Sequence, residues 1–197
     1  MFNLKRPSGA AGAVLLFAVA FFLGCGEEEE PPAGPGPYKM NEPKYALANV
    51  ELAFNGYDAS LLDKCLADTF LFFFDPNDVG QKANGYVMPG SWARADFLQA
   101  ARNMFARAQS ISINNNWRAI GPPDPNENIY AAYAVPFKIA VVVDANESYT
   151  LDDGTCDYEF EKDADGTWHL ISWQDRSREA GCIGPRTLGR ILAKFYL

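Results

Sequence analysis

One change of rhythm constrains this chain more than anything else in it. Up to about residue 108 apolar side chains recur at three and four, and from residue 110 to 175 they recur at two. The first rhythm belongs to helices. Leu47, Val50 and Phe54 make one face of a helix predicted over 43–55, with Pro43 suited to its first turn and Gly56 at its end. Asp58 can cap a short second helix that turns Leu61, Leu62, Cys65 and Leu66 inward, and a Phe-rich strand follows over 69–75. Residues 76–90 read as a long loop. Ser91 then caps a third helix over 92–108, which packs Phe97, Ala101, Met104 and Phe105. The second rhythm belongs to strands. One is expected over 110–120 with Ile111, Ile113 and Trp117 on a face. Another is expected over 130–143 with Ala131, Tyr133, Val135, Phe137, Ile139, Val141 and Val143 inward, and Pro136 marks a bulge or an edge there. A third, over 149–162, sets Cys156, Tyr158 and Phe160 against Asp157, Glu159 and Glu161. Asp165-Gly166 is a hairpin turn into a last strand over 168–175, and Leu188, Ile191, Leu192 and Phe195 mark a C-terminal amphipathic helix. Helices first and a meander of long strands afterwards is an α+β pattern. The expected domain, 41–197, is a curved antiparallel sheet wrapped on three N-terminal helices, a cone with a hollow.

Three stretches carry a family resemblance: VELAFNGYDASLLDKCLADTFLFFF at 50–74, SWARADFLQAARNMF at 91–105 and GTWHLISWQD at 166–175. Together they resemble the nuclear transport factor 2-like superfamily, which includes ketosteroid isomerase and SnoaL-like domains, over roughly residues 42–176. The resemblance implies the cone-shaped fold, because the shared motifs are patterns of packing. It implies an activity only where acid–base groups stand inside the cone. Ketosteroid isomerases of this superfamily set a carboxylate base opposite a donor pair, dehydratases use a histidine beside acids and tyrosines, and epoxide hydrolases use an Asp-Arg-Asp set. No such set matches here residue by residue.

The individual candidates are therefore weighed from their own positions. His169 is the only histidine, and alternation puts it opposite Trp168 and Leu170, facing solvent. A bulge near Ile171 would place Trp168, Leu170, Trp173 and Asp175 together on the inner face. Asp175 is then the carboxylate best placed for a pocket, against the plainer role of a strand-end hydrogen-bonding residue near Arg176 and Arg178. Tyr133 could present a hydroxyl inside the cone or be a core tyrosine with a partner. Asp175, His169 and Tyr133 are thus weak catalytic candidates. Phe70, Phe72, Tyr133, Phe137 and Trp173 are expected to line the hollow. An aromatic lining without a convincing acid–base set favours a module that binds a small apolar ligand, or docks a partner protein, without catalysis. A lyase or isomerase is the alternative, and a homodimer through the open sheet face a further possibility. No cofactor or metal is expected. The acidic loop from Asp75 to Gly80 has Val79 at the fifth position of a calcium loop and Met88 at the twelfth, and one His without a CxxC leaves no zinc set.

The N-terminus points to the cell envelope. After Lys5 and Arg6 comes GAAGAVLLFAVAFFL at 9–23, at ~1.5 Å per residue only ~22 Å of helix against a hydrocarbon core of ~30 Å. Such a segment reads as a processed signal peptide over 1–24. Phe22-Leu23-Gly24-Cys25 resembles a bacterial lipobox, with Phe22 where that motif usually has Leu. The resemblance implies a diacylglycerol thioether and acylation, palmitate for example, on Cys25, and so a membrane anchor. The stretch GEEEEPPAGPGP that follows repels itself and cannot hold helix or sheet, so residues 25–40 form a linker. Gly26 after the cysteine leans toward the outer membrane, with the domain facing the periplasm or the cell surface. In that oxidising compartment a Cys65–Cys182 disulfide would pin the tail, while Cys156 reads as an inward small hydrophobe. The net charge of −8 and the absence of a basic stripe argue against nucleic acid.

Overall fold

A computed structural model of the 197-residue chain describes residues 36–176 and 187–197. The expected signal peptide, Cys25, most of the linker and Cys182 lie outside the described residues; Cys65, the other half of the expected disulfide, is a buried free thiol. The domain begins earlier than residue 41. Tyr38 stacks on Tyr45, exchanges two hydrogen bonds with Asn49, and is followed by Met40, whose carbonyl accepts from Trp168 N.

Helix α1, Pro43–Asn55, opens on its proline and buries Leu47, Val50 and Phe54. Helix α2, Ala59–Cys65, is capped by Asp58, whose Oδ1 accepts from the amides of Ser60 and Leu61 at 2.9 Å each. Strand β1, Leu66–Phe73, follows without a break. The expected long loop holds a small hairpin, β2 (Lys82–Ala83) and β3 (Tyr86–Val87), turned by Asn84 and Gly85 at φ 49° and 83°. Positive φ at both central residues is what a tight hairpin turn requires. The third helix starts two residues later than the pattern suggests. Ser91–Ala93 form strand β4, paired antiparallel with β1, and helix α3 is Arg94–Arg107.

Strand β5, Ser110–Asn114, is shorter than expected. The Asn115 amide nitrogen donates to Leu47 O at 2.8 Å, its backbone N–H donates to Glu51, and Asn116 sits at φ 47°. Asparagine side chains that bind the backbone end the ladder, and Trp117–Ala119 turn as a 3-10 helix. The remaining strands are β6 (Ile129–Val142), β7 (Ser148–Lys162) and β8 (Trp168–Arg176), followed by helix α4 (Leu188–Ala193).

The six-stranded sheet runs β4-β1-β8-β7-β6-β5. Every pairing is antiparallel except β1 with β8. Bulges set which side chains face inward. In β8, Leu170 pairs with Phe160 and Ser172 with Glu159, so Ile171 is the extra residue, and Trp168, Leu170, Trp173 and Asp175 all face in. In β6 the register slips between Ala132 and Val135, where Ala134 takes φ 52° and its amide donates to Asp157 Oδ1 at 2.8 Å. Tyr133 and Ala134 together stand opposite Asp157, one residue in excess, which reverses the phase. Tyr133 consequently lies 70% exposed on the outside. This corrects its expected place in the hollow. Pro136 pairs with Thr155 on β7 and lies beyond the reach of β5, which pairs only from Lys138 to Val142, so it sits on an edge segment of β6, as expected.

The inner face of the sheet meets α1 and α3 through aromatic rings. Phe72 stacks on Phe97 with centroids 5.2 Å apart and reaches Trp173 at 6.1 Å, and Trp173 also touches Phe54, Phe137 and Tyr158. No helix among the described residues is long and apolar enough to cross a membrane.

Candidate functional site

The hairpin of β7 and β8 brings four polar side chains onto one stretch of inner wall. Cys156 pairs with Asp175, and Tyr158 pairs with Trp173. The two pairs are neighbours on the same face because inward positions alternate along each strand. All four residues are completely buried. Among the described residues Asp175 Oδ1 has no hydrogen-bond partner, and the Tyr158 hydroxyl and the Trp173 indole N–H have only the Cys156 thiol, a weak partner. A buried polar atom left unpaired costs about 1–3 kcal/mol, so this wall is under-satisfied.

The other oxygen of Asp175 is engaged. Gly189 N–H, in the first turn of α4, donates to Oδ2 at 2.6 Å. Burial pushes the Asp175 carboxyl up to about 8; the Gly189 amide opposes the rise, and Asp78 and Asp75 add to it. The carboxyl is therefore protonated at neutral pH. Burial, with Asp175 nearby, also raises the Cys156 thiol, and burial raises the Tyr158 phenol. The wall thus presents an indole N–H, a phenolic O–H and a carboxylic O–H, all donors and all uncharged. Its complement is an oxygen acceptor on an uncharged molecule. An anion would meet the field of Asp75 and Asp78 behind the wall.

Phe70, Phe72, Phe137 and Trp173, expected to line a hollow, are buried and packed ring to ring. His169 is not in the interior. It lies on the outer side, lining a groove of about 620 Å³ between α2, the start of β1 and Arg94. Its Nδ1 is 3.1 Å from Lys64 O and its Nε2 3.1 Å from Asp163 Oδ2. A hydrogen bond shared with Asp165, then those from the Thr167 amide and His169, hold Asp163 down at about 2. This His–Asp pair is remote from the wall.

Cys65 is buried, and its thiol donates to Leu61 O at 3.2 Å. No group of three or more His, Cys, Asp or Glu among the described residues is arranged to hold a metal. The loop after β1 turns its acids on the protein itself: Asp75 Oδ1 accepts from Asn77, and Asp78 accepts from Thr187 and pairs with Arg190. Sequence reasoning found Asp175 and Trp173 but read Cys156 and Tyr158 only as packing. The missing step was the register across the Asp165-Gly166 hairpin, which sets the two pairs side by side. The Gly189 contact has no sequence signal.

No family model matches the chain, and none of the curated proteins does. The fold does have solved counterparts. A protein from Kribbella flavida aligns over 79% of this chain and 97% of its own, with 14% identity and a TM-score of 0.54. A Novosphingobium aromaticivorans protein, provisionally called a scytalone dehydratase, aligns over 75% and 89%, with 11% identity and a TM-score of 0.55. A nuclear transport factor 2-like superfamily protein from Salmonella enterica covers 72% and 92% at 11% identity, with a TM-score of 0.49. At such identities the first two speak for the fold alone, and the third carries no weight. The fold is the curved α+β roll of the first two, a six-stranded sheet wrapped on helices.

Proposed function

We propose that this chain is an envelope lipoprotein, anchored through Cys25, whose cone binds a small, neutral, largely apolar ligand by an oxygen acceptor. One observation carries the binding reading: three buried, uncharged donors on one aromatic wall have no partner stronger than the Cys156 thiol. A ligand oxygen placed among Tyr158, Trp173 and Asp175 would satisfy them and recover most of the cost of leaving them dry. The aromatic rings around them would take the ligand's apolar body. The fold's counterparts include a protein provisionally called a dehydratase, which suits a roll used to enclose small molecules. The anchor rests on the lipobox resemblance, and Cys25→Ala should abolish palmitate labelling and membrane partition of the full chain.

The test of binding uses 2-acetylnaphthalene, an aromatic ketone that accepts but cannot donate, with 2-naphthoate as its anionic counterpart. Calorimetry should show saturable binding of the ketone and none of the anion. Tyr158→Phe should weaken ketone binding by about fivefold or more, whereas Asp175→Asn, whose amide nitrogen still donates, should retain it. Equal affinity for both probes, or no saturable binding, would end the reading. A second reading, a lyase or isomerase, is favoured by the Asp175 carboxyl, whose acidity near neutral suits a general acid. Protein-dependent deuterium uptake at the ketone's α-methyl carbon in D₂O would move the weight to it.

A further inference from the structure

The C-terminal stretch 187–197 lies against the binding wall. Gly189 N–H donates to Asp175. The approach is so close that a Cβ at position 189 would stand 2.7 Å from the Phe74 ring and 3.1 Å from that of Phe72. The rest of the stretch is latched to the rim. Thr187 Oγ1 donates to Asp78 Oδ2 at 2.6 Å, and Arg190 pairs with the other oxygen of Asp78 at 3.2 Å. Asn103 donates to Phe195 O at 2.8 Å. The Tyr196 ring stacks on Trp92 at 5.0 Å, and its hydroxyl donates to Asp96 at 2.7 Å.

These contacts hold a helix that could not hold itself. Helix α4 has six residues, and isolated helices below ~12 residues are marginal in water. It is held by its docking and not by its own few hydrogen bonds. The stretch buries Leu188, Ile191, Leu192 and Phe195 completely. It nevertheless meets Asp175 with a bare backbone N–H and leaves Asp175 Oδ1 unpaired behind it. We propose that 187–197 is a strap that covers the wall in the resting protein, so that strap docking and ligand entry exclude one another. The proposal rests on the reading of the wall as the ligand site.

Two cysteines make it testable. Cys156 sits on the wall, paired with Asp175, whereas Cys65 is equally buried at the end of α2. Full-length wild type, Gly189→Ala and Tyr196→Ala would be reduced, exchanged into buffer and treated with N-ethylmaleimide, and labelling followed peptide by peptide. Crowding against Phe74, or loss of the Tyr196 latch, should speed labelling of Cys156 by about tenfold or more and leave Cys65 at its wild-type rate. The same variants should bind 2-acetylnaphthalene more tightly. Unchanged Cys156 rates in both variants, or equal acceleration of both cysteines, would overturn the strap. So would faster Cys156 labelling with unchanged or weaker ketone binding, and wild-type binding would then leave the wall reading standing. Faster Cys156 labelling with no ketone binding by any variant would remove the ligand site and the competition with it.

Discussion

Asp175→Asn should make the protein less sensitive to pH, and its effect should grow with pH. Asp175 is completely buried, with Oδ2 on the Gly189 amide and Oδ1 bare. The charged groups facing it are Asp75 and Asp78 from the loop after β1, with Arg190 on α4 paired to Asp78. The carboxyl titrates near 8 in the folded protein, against ~3.9 in an unfolded chain. Between those values the folded state holds a proton that the unfolded state has released, so stability falls as pH rises through that window. The stabilising share is fully present below about pH 4 and gone above about pH 8. Four units at ~1.4 kcal/mol each make the loss about 5 kcal/mol. That is comparable with the whole stability of an ordinary domain, ~5–15 kcal/mol. Opening of the strap would let water reach the carboxylate, so this figure is a ceiling. Asparagine keeps the shape and the acceptor for Gly189 and carries no charge. Urea denaturation of both proteins from pH 4.5 to 8.5 isolates the residue, because other titrations cancel in the difference. The variant should be close to wild type at the acid end and more stable by several kcal/mol at the alkaline end. A difference that is flat with pH, or one that favours wild type as pH rises, would refute the reasoning.

Two further predictions concern the frame that holds the wall. Phe72→Ala removes a ring that touches Phe74, Trp92, Phe97 and Trp173. It should cost about 3–5 kcal/mol, read as a thermal midpoint lower by roughly 10 °C; a loss under 1 kcal/mol would mean the interior is looser than its ring contacts indicate. Ala134→Gly relieves an alanine held at φ 52°. It should raise the urea midpoint by an amount equivalent to ~0.5–1 kcal/mol, and a lower midpoint would show that the bulge is not strained.

The parts of this fold written in local chemistry were open to reading. Pro43, Gly56 and the Asp58 cap bound α1 and α2 where the sequence places them, because their signals act over a few residues. Strand β4 was hidden. Three residues beginning at Ser91 look like a helix cap, and only pairing with β1 makes them a strand. Tyr133 went astray for a related reason. Pro136 signals a bulge or an edge in β6 without locating a slip, and the bulge at Tyr133 and Ala134 is fixed by Asp157 on the next strand. Ile171 went the other way. The spacing of Trp168, Leu170, Trp173 and Asp175 already required an extra residue among them, so half of the wall could be anticipated. Its under-satisfied donors could not, since satisfaction of a buried polar atom depends on everything packed around it.

Strand β8 lies between β1 and β7, in parallel with the first and antiparallel to the second. Among the described residues it is the link within the sheet between the helical half of the domain and the meander, and it follows both in the chain. Until residues 168–176 emerge, Phe70 and Phe72 on β1 have no strand beside them on that flank, and the two halves have no shared ladder. Contacts that span so much chain form late. A chain built this way closes its two halves into one sheet only when β8 pairs on both flanks.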